Sequence, residues 1–238
     1  MSVFRNMVFA AALAGLLAGA LVTIIQQLGT APLILAAEVF EQAAEPATAA
    51  ETAAQAHGDH DHGAWAPQDG LERTAFTLAA NIVTGVGFAL LLVSAFALRG
   101  RAIGWREGLF WGLAGFAVFM VAPSIGLPPE FPGMPAAPLG PRQAWWVTTV
   151  AATAAGLALL AFRRSPLWAA VGVALLVAPH LVNAPQPATT EALVPEALHH
   201  QFVVAVTVTS FLFWIVLGVL SATFFARFNR KSAPASAG

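Results

Sequence analysis

Six long stretches of apolar side chains divide this 238-residue chain and restrict its fold more than any other feature. A helix needs about 20 apolar residues to cross the hydrocarbon core of a bilayer. Because 58% of the residues are hydrophobic and only 10% are charged, the chain cannot cover a water-soluble globule of this size. We therefore predict an all-α integral membrane protein with six transmembrane helices, at residues 7–25, 75–98, 108–127, 144–162, 167–182 and 202–225.

These stretches also define the expected domain organisation. The first span occupies residues 1–30, and an acidic, histidine-rich extracytoplasmic loop follows at 31–73. Five further spans with short loops fill residues 74–228, before a cytoplasmic tail at 229–238. The fifth stretch is the shortest, so it is either a full span or a short, tilted helix. A cleaved signal peptide is the alternative for the first segment, although its apolar run exceeds the usual length of about 7–15 residues.

Charged residues are distributed unequally between the two sides of this arrangement. If the N-terminus lies inside, nine of the eleven basic residues are inside, and only Arg73 and Arg142 are outside. Because cytoplasmic loops carry an excess of lysine and arginine, we predict that both termini are cytoplasmic. All six histidines and every carboxylate except that of Glu107 then lie in outer loops or at outer helix ends. The outer face is therefore rich in imidazole and carboxylate groups.

Several classes of function are excluded by composition alone. The chain has no cysteine, so disulfides and thiolate metal sites are impossible. Its only lysine is Lys231, at the extreme C-terminal end, so the chain has no P-loop and no ATP site of that type. A net charge of −1 provides no basic surface for nucleic acid. An enzymatic metal site would need a rigid ligand pattern such as His-x-x-x-His on a helix, and we do not expect an enzyme.

The first outer loop contains the densest set of metal-ligating side chains. Residues 32–41 are apolar with spaced acids and are expected to lie along the membrane interface, whereas 43–56 lack a core-forming pattern and are expected to be mobile. The next segment places three imidazoles and two carboxylates within six residues. Short tracts of this kind are typical of metal binding, although a solvated polar linker is the alternative. The candidate ligands are His57, Asp59, His60, Asp61 and His62.

Three histidines near helix ends are further candidates. His180 follows Pro179 at the outer end of the fifth span, where an ionisable residue is a functional candidate by default. Alternatively, its ring is bonded to a carbonyl that the proline leaves free. His199 and His200 precede the sixth span and are either ligands or a plain interfacial pair.

The three outward-running spans share an Ala-Pro ending, at residues 31–32, 122–123 and 178–179. This repeat predicts three helix hairpins around an outer vestibule, although Ala-Pro is also a common helix stop in an alanine-rich chain. No charged residue lies in the middle of a span. Asn81 and Met120 are the only mid-span polar or thioether groups that we retain as candidates for an ion path.

Two blocks in the middle of the chain resemble a known family. They are Pro-Pro-Glu-Phe-Pro-Gly at residues 128–133 and Arg-Gln-Ala-Trp-Trp at residues 142–146. With the segments around Glu38 and His180, they resemble the CbtA-type cobalt transporter subunits, and the similarity extends from the first span to the last. The resemblance implies a bacterial inner-membrane protein in cobalt uptake for cobalamin synthesis. It also implies a partner, a small CbtB-type subunit with one span and its own histidine tract.

Residue by residue, the resemblance directs attention to Glu38, Glu130, Arg142 and His180, which occupy the matching blocks. Glu130 and Arg142 are candidates for an ion pair, in which case they are structural. Co²⁺ is the expected transported ion, and nothing in these side chains excludes Ni²⁺. A metal-binding assembly or sensing protein without transport is the alternative function.

Overall fold

The computed structural model describes residues 2–52 and 67–232, and within these ranges the chain forms helices and no strands. Side chains are described for residues 3–43 and 67–230. The helices are α1 (Ser2–Leu28), α2 (Ala31–Thr52), α3 (Leu71–Arg99), α4 (Trp105–Phe116), α5 (Ala122–Gly126), α6 (Leu139–Phe162), α7 (Pro166–Leu181) and α8 (Glu196–Ser232), with a π turn at Ala117–Val121 between α4 and α5.

Five segments of the described chain are long and apolar enough to cross a membrane: Val3–Leu28, Leu71–Arg99, Trp105–Gly126, Leu139–Phe162 and Glu196–Arg230. They coincide with five of the six predicted spans, except that the third span was predicted to extend one residue further, so the chain is a multi-pass helical membrane protein. The remaining span corresponds to α7, which has 16 residues and is therefore about 24 Å long. At 37 residues, α8 is much longer than a bilayer core requires, so one end continues beyond it.

Glycines determine which helices pair. A Cβ atom on Gly19 of α1 would lie 2.7 Å from Ile82 Cα of α3, and one on Gly218 of α8 would lie 2.7 Å from Gly112 Cα of α4. Likewise, a Cβ on Gly156 of α6 would lie 2.7 Å from the Gly172 carbonyl oxygen of α7. Only a hydrogen atom at these positions permits such close backbone approach. These close approaches join α1 with α3, α4 with α8 and α6 with α7, and α1 also packs extensively against α8.

These pairs correct the predicted arrangement of three sequential hairpins. The first two spans do pack together, but the third pairs with the sixth and the fourth with the fifth. The three Ala-Pro sequences also have different structural roles. Pro32 lies at the start of α2, Pro123 lies beside the π turn, and Pro179 lies inside the last turn of α7.

The four helices α1, α3, α4 and α8 form one bundle with an aromatic interior. Phe96, Val93 and Leu217 are its largest fully buried apolar side chains. Trp214, which the sequence places in the middle of a span, is 4% exposed and stacks on Phe119 with ring centroids 5.4 Å apart. Aromatic groups rather than ion ligands therefore fill the centre of the bundle.

The α6–α7 hairpin lies beside this bundle. Its main contacts with the other helices run through α6, which meets the π turn and α5. The bundle has two chemically different ends. We call the end with Glu38, Glu130 and His180 the acidic end, and the end with Arg99 and Arg163 the basic end.

Candidate metal site at the acidic end

A small apolar cluster joins four segments at the acidic end. Ala37 of α2, Phe131 and Val194 of the two irregular segments, and Phe202 of α8 are each at most 6% exposed. We call this cluster the cap. Because α8 begins at Glu196, its first turns extend into the cap and account for part of its unusual length. We expected residues 43–56 to be mobile, but α2 continues to Thr52, so the described part of that segment is helical.

Two hydrogen bonds to the backbone of Gly133 hold the cap together. The Gly133 amide donates to Glu41 Oε1 at 2.6 Å, and the Leu193 amide donates to the Gly133 carbonyl at 2.9 Å. Gly133 has φ +74°, a conformation that a residue with a Cβ atom adopts only with strain. The Pro-Gly sequence at 132–133 is a turn signal that could have located this position. Nothing in the sequence singles out Glu41 among the acids of its loop.

The carboxylate of Glu38 lies on Arg73. Its two oxygens accept hydrogen bonds from the guanidinium at 2.5 and 3.2 Å, and Asp69 accepts another from Arg73 at 2.8 Å. Both partners are partly exposed. In this arrangement, Glu38 ties α2 to the first turn of α3, and its predicted role as a metal ligand stays a prediction.

Glu130 forms an ion pair with Arg142, which confirms the pairing expected from the sequence. The Arg142 side chain is 15% exposed, whereas that of Glu130 is 67% exposed. Arg142 Nε is buried and has no hydrogen-bond partner among the described residues. The pair therefore joins the segment before α6 to the first turn of that helix.

His180 lines a cavity of about 370 Å³ between the ends of α5, α6 and α7. Asn183 and Gln186 also line it, the Gln186 side-chain amide donates to the Ala184 carbonyl at 3.0 Å, and Trp145 closes one side. The Trp145 indole donates to the Val182 carbonyl at 2.9 Å, which fixes the turn that carries the histidine.

The imidazole of His180 is held against Trp145, but its Nδ1 has no hydrogen-bond partner among the described residues. Its ring meets Trp145 edge-on, with centroids 6.1 Å apart. His180 Nδ1 is buried, and no group within the described ranges forms a hydrogen bond with it. The alternative in which a carbonyl freed by Pro179 binds the ring is therefore not seen at this nitrogen. A buried, unpaired imidazole nitrogen is energetically costly unless a ligand or water occupies the site.

The remaining histidines are less confined. His199 is half-buried, with its ring 6.2 Å from that of Phe131 in the cap, and His200 is exposed on the next position of α8. The tract His57, Asp59, His60, Asp61 and His62 lies outside the described residues. Within the described ranges, no three His, Asp or Glu side chains converge closely enough to hold a metal ion.

The two candidates for a mid-span path are engaged in local contacts. Asn81 Nδ2 donates to Thr23 Oγ1 at 2.9 Å and to Gln26 Oε1 at 2.6 Å, which ties α3 to α1. The Met120 sulfur accepts a hydrogen bond from Ser124 at 3.7 Å. Both side chains therefore have structural roles in this conformation.

The fold and the acidic end together define a multi-pass helical membrane protein with a confined imidazole and several paired carboxylates at one end. A family described as "Probable cobalt transporter subunit (CbtA)" matches residues 4–226, nearly the whole chain. The chain belongs to this family, so it is a membrane subunit of the cobalt transporter class. No curated protein and no solved structure matches the chain significantly.

Proposed function

We propose that the chain admits Co²⁺ through the acidic end and that His180 binds the ion at the start of its path. The observation that carries this proposal is the buried Nδ1 of His180, which has no hydrogen-bond partner within the described ranges; the residue lines a cavity together with Asn183 and Gln186. One imidazole with neutral oxygen donors forms a weak site for a borderline metal ion. Weak binding suits a transported ion, which must also leave the site.

We further propose six spans, with α7 as the fifth, and an acidic end that faces outward. The distribution of basic residues supports this orientation. The sequence places only Arg73 and Arg142 at the acidic end, and both are held in ion pairs with carboxylates. The remaining basic residues lie at or beyond the opposite helix ends, as the positive-inside rule requires. Both termini are then cytoplasmic.

In this proposal the histidine tract at residues 57–62 captures the ion before it reaches His180. Flexible imidazole and carboxylate ligands raise the local concentration of the metal without holding it in a closed site. A small one-span, histidine-rich CbtB-type subunit is the proposed partner, and the bacterial inner membrane is the proposed location. The cobalt serves cobalamin synthesis in this scheme, and Ni²⁺ is the alternative ion.

One observation favours the alternative of metal binding without transport. Among the described residues, the centre of the bundle is aromatic, and the mid-span polar groups Asn81 and Met120 are engaged. A complete path would then require a conformational change or side chains from the partner.

Uptake of radiolabelled cobalt tests the proposal in cells that lack their own cobalt importers. The intact chain, alone and with its partner, is compared with His180→Ala and with deletion of residues 57–62. Leu181→Ala is the matched control, because Leu181 is the next residue and is 77% exposed. We expect His180→Ala to abolish uptake and Leu181→Ala to retain it.

Other outcomes of the same experiment reassign the site. If only the loop deletion abolishes uptake, the essential ligands lie in the histidine tract and not at His180. If the protein is present in the membrane but no condition gives uptake, the binding-only function replaces the transporter proposal.

Acidification provides a second test of imidazole ligands. A metal-binding imidazole must be neutral, and an unperturbed histidine gains its proton near about pH 6.5. Uptake should therefore weaken as the pH falls from about 7.5 to about 5.5 at a constant driving force. Uptake that is unchanged over this interval would contradict histidine ligation.

A further inference from the structure

A second and larger cavity, of about 760 Å³, lies in the basic half of the molecule between α3, α4 and α6. We call it the crevice. Its walls are almost entirely apolar. Each of the three helices contributes to them, for example through Ala95 of α3, Phe110 and Ala114 of α4, and Leu157 and Ala158 of α6. Arg99 and Glu107, at the basic end of α3 and near the start of α4, are the charged residues that line it within the described part of the chain.

The crevice results from the way in which α6 is attached. Apart from α7, the main contacts of α6 are with the π turn and α5, which lie towards the acidic end. Towards the basic end, α6 therefore stands away from α3 and α4. A ring contact between Trp111 and Phe162, with centroids 6.2 Å apart, is the aromatic bridge near the bottom of this gap.

The lining of the crevice does not suit a metal ion. Phe, Leu, Trp and Ala side chains dominate it, and they offer no ligand to Co²⁺. Glu107 Oε2 already accepts a hydrogen bond from the Gly104 amide at 3.0 Å, which caps α4. An apolar occupant is therefore favoured for the body of the crevice.

The charges around the opening favour an anion at its mouth. Arg99 lines the crevice, Arg101 and Arg106 lie in or next to the connection to α4, and Arg163 and Arg164 directly follow the lining residue Phe162. Glu107 is the only acid in these segments. Arg106 and Arg163 also lie over tryptophan rings, at 5.4 and 5.9 Å from the ring centroids, as is common where side chains meet a membrane interface.

We propose that the crevice binds one acyl chain of an anionic phospholipid, with the headgroup phosphate at Arg99. The volume lies within the range of about 300–1,000 Å³ that is usual for small-molecule sites between helices. The acyl chain fills the space that α6 leaves open, and the basic opening selects the negative headgroup. This site is independent of cobalt binding, since it shares no lining residue with the cavity at His180.

Native mass spectrometry of the purified full chain tests this site. The chain is released from detergent after addition of phosphatidylglycerol, phosphatidylethanolamine or phosphatidylcholine, each with the same acyl chains. We expect one phosphatidylglycerol molecule to remain bound, in preference to the other two lipids. Ala158→Trp fills the crevice and should remove the retained lipid. Ala155→Trp is the matched control, because Ala155 is exposed on the same helix and does not line the crevice.

A substitution at the proposed headgroup contact, Arg99, leaves the apolar walls intact. It therefore tests the proposal even if Ala158→Trp fails to fold. Arg99→Gln should lower the preference for phosphatidylglycerol about fivefold, the effect of one arginine near an anionic surface. Arg101→Gln, which is outside the crevice lining, should change it less.

Three outcomes would overturn the proposal. They are equal lipid retention in Ala158→Trp and Ala155→Trp, equal retention of the three lipids, and an unchanged preference in Arg99→Gln. If no lipid is retained but a co-expressed one-span partner is lost only from Ala158→Trp, the crevice holds a protein helix instead.

Discussion

The four-helix bundle and the α6–α7 hairpin are both closed by glycine contacts, yet they differ in what they enclose. The bundle surrounds the Phe88, Phe119 and Trp214 rings, and its described interior contains no ion pair. The hairpin meets the bundle mainly near the acidic end and carries His180, whose Nδ1 forms no hydrogen bond with any described residue. An apolar scaffold thus positions a more loosely attached element that carries the proposed metal ligand.

Gly218→Val in the bundle should have the largest effect on stability. A Cβ atom there would lie 2.7 Å from Gly112 Cα, and a backbone atom cannot move aside as a side chain can. We expect a loss at the upper end of the ~1–3 kcal/mol that overpacking usually costs. Gly87→Val is the control, because nothing beyond its chain neighbours and its own helix backbone lies within 4 Å of its Cβ position. Thermal unfolding in detergent measures both, and equal midpoints would contradict the close α4–α8 contact.

Gly156→Val makes the corresponding change in the hairpin. Its Cβ would lie 2.7 Å from the Gly172 carbonyl oxygen, so α6 and α7 should separate. We expect faster amide hydrogen exchange in these two helices with little change in α1, α3 and α8, because the hairpin is attached separately. Equal acceleration in the bundle would show that the two regions unfold as one unit.

Neutralising Glu130 tests the segment that leads into the hairpin. Glu130→Gln leaves the mostly buried Arg142 without its partner, and we expect a loss of about 1 kcal/mol because the carboxylate itself is largely exposed. Adding Arg142→Gln should recover much of that loss in a double-mutant cycle. If the double variant is stable but does not transport cobalt, Glu130 or Arg142 has a role beyond the ion pair.

Trp145→Phe should have the smallest effect. It removes the hydrogen bond to the Val182 carbonyl but keeps an aromatic ring beside His180, at a cost of about 0.6 kcal/mol. Faster exchange confined to the C-terminal end of α7 is the expected result. Trp146→Phe is the control at the adjacent, more exposed indole. A similar response in both variants would mean that the indole bond does not hold the turn.

Much of the fold could be predicted from the sequence because the membrane imposes long apolar helices. The ion pair between Glu130 and Arg142 was also predictable, since the two residues lie in neighbouring blocks on the same side. Which helices pair with one another could not be predicted from the sequence. Gly15 and Gly19 form a recognisable spacing, but the sequence does not show that their partners are on α3. Such partners depend on which two glycine-bearing faces meet in three dimensions.

The candidate site was predicted only in part. His180 stood out because an ionisable group near an apolar helix end is unusual, but its cavity requires Asn183 and Gln186 from an irregular segment without a recognisable pattern. The bond from the Gly133 amide to Glu41 spans 92 positions of the chain, and no local signal connects these two residues.

The π turn at Ala117–Val121 gives one helix two partners. Gly115, before the turn, lies against Trp214 of α8, whereas Gly126, after it, lies against Trp145 of α6. Eleven residues of regular helix make about three whole turns, so the two glycines would otherwise share a face. The π turn rotates the residues that follow it about the helix axis, so Gly126 faces α6 instead of α8. Attachment of the hairpin therefore depends on how many residues the turn contains, and losing one of them would do more harm than replacing any of them.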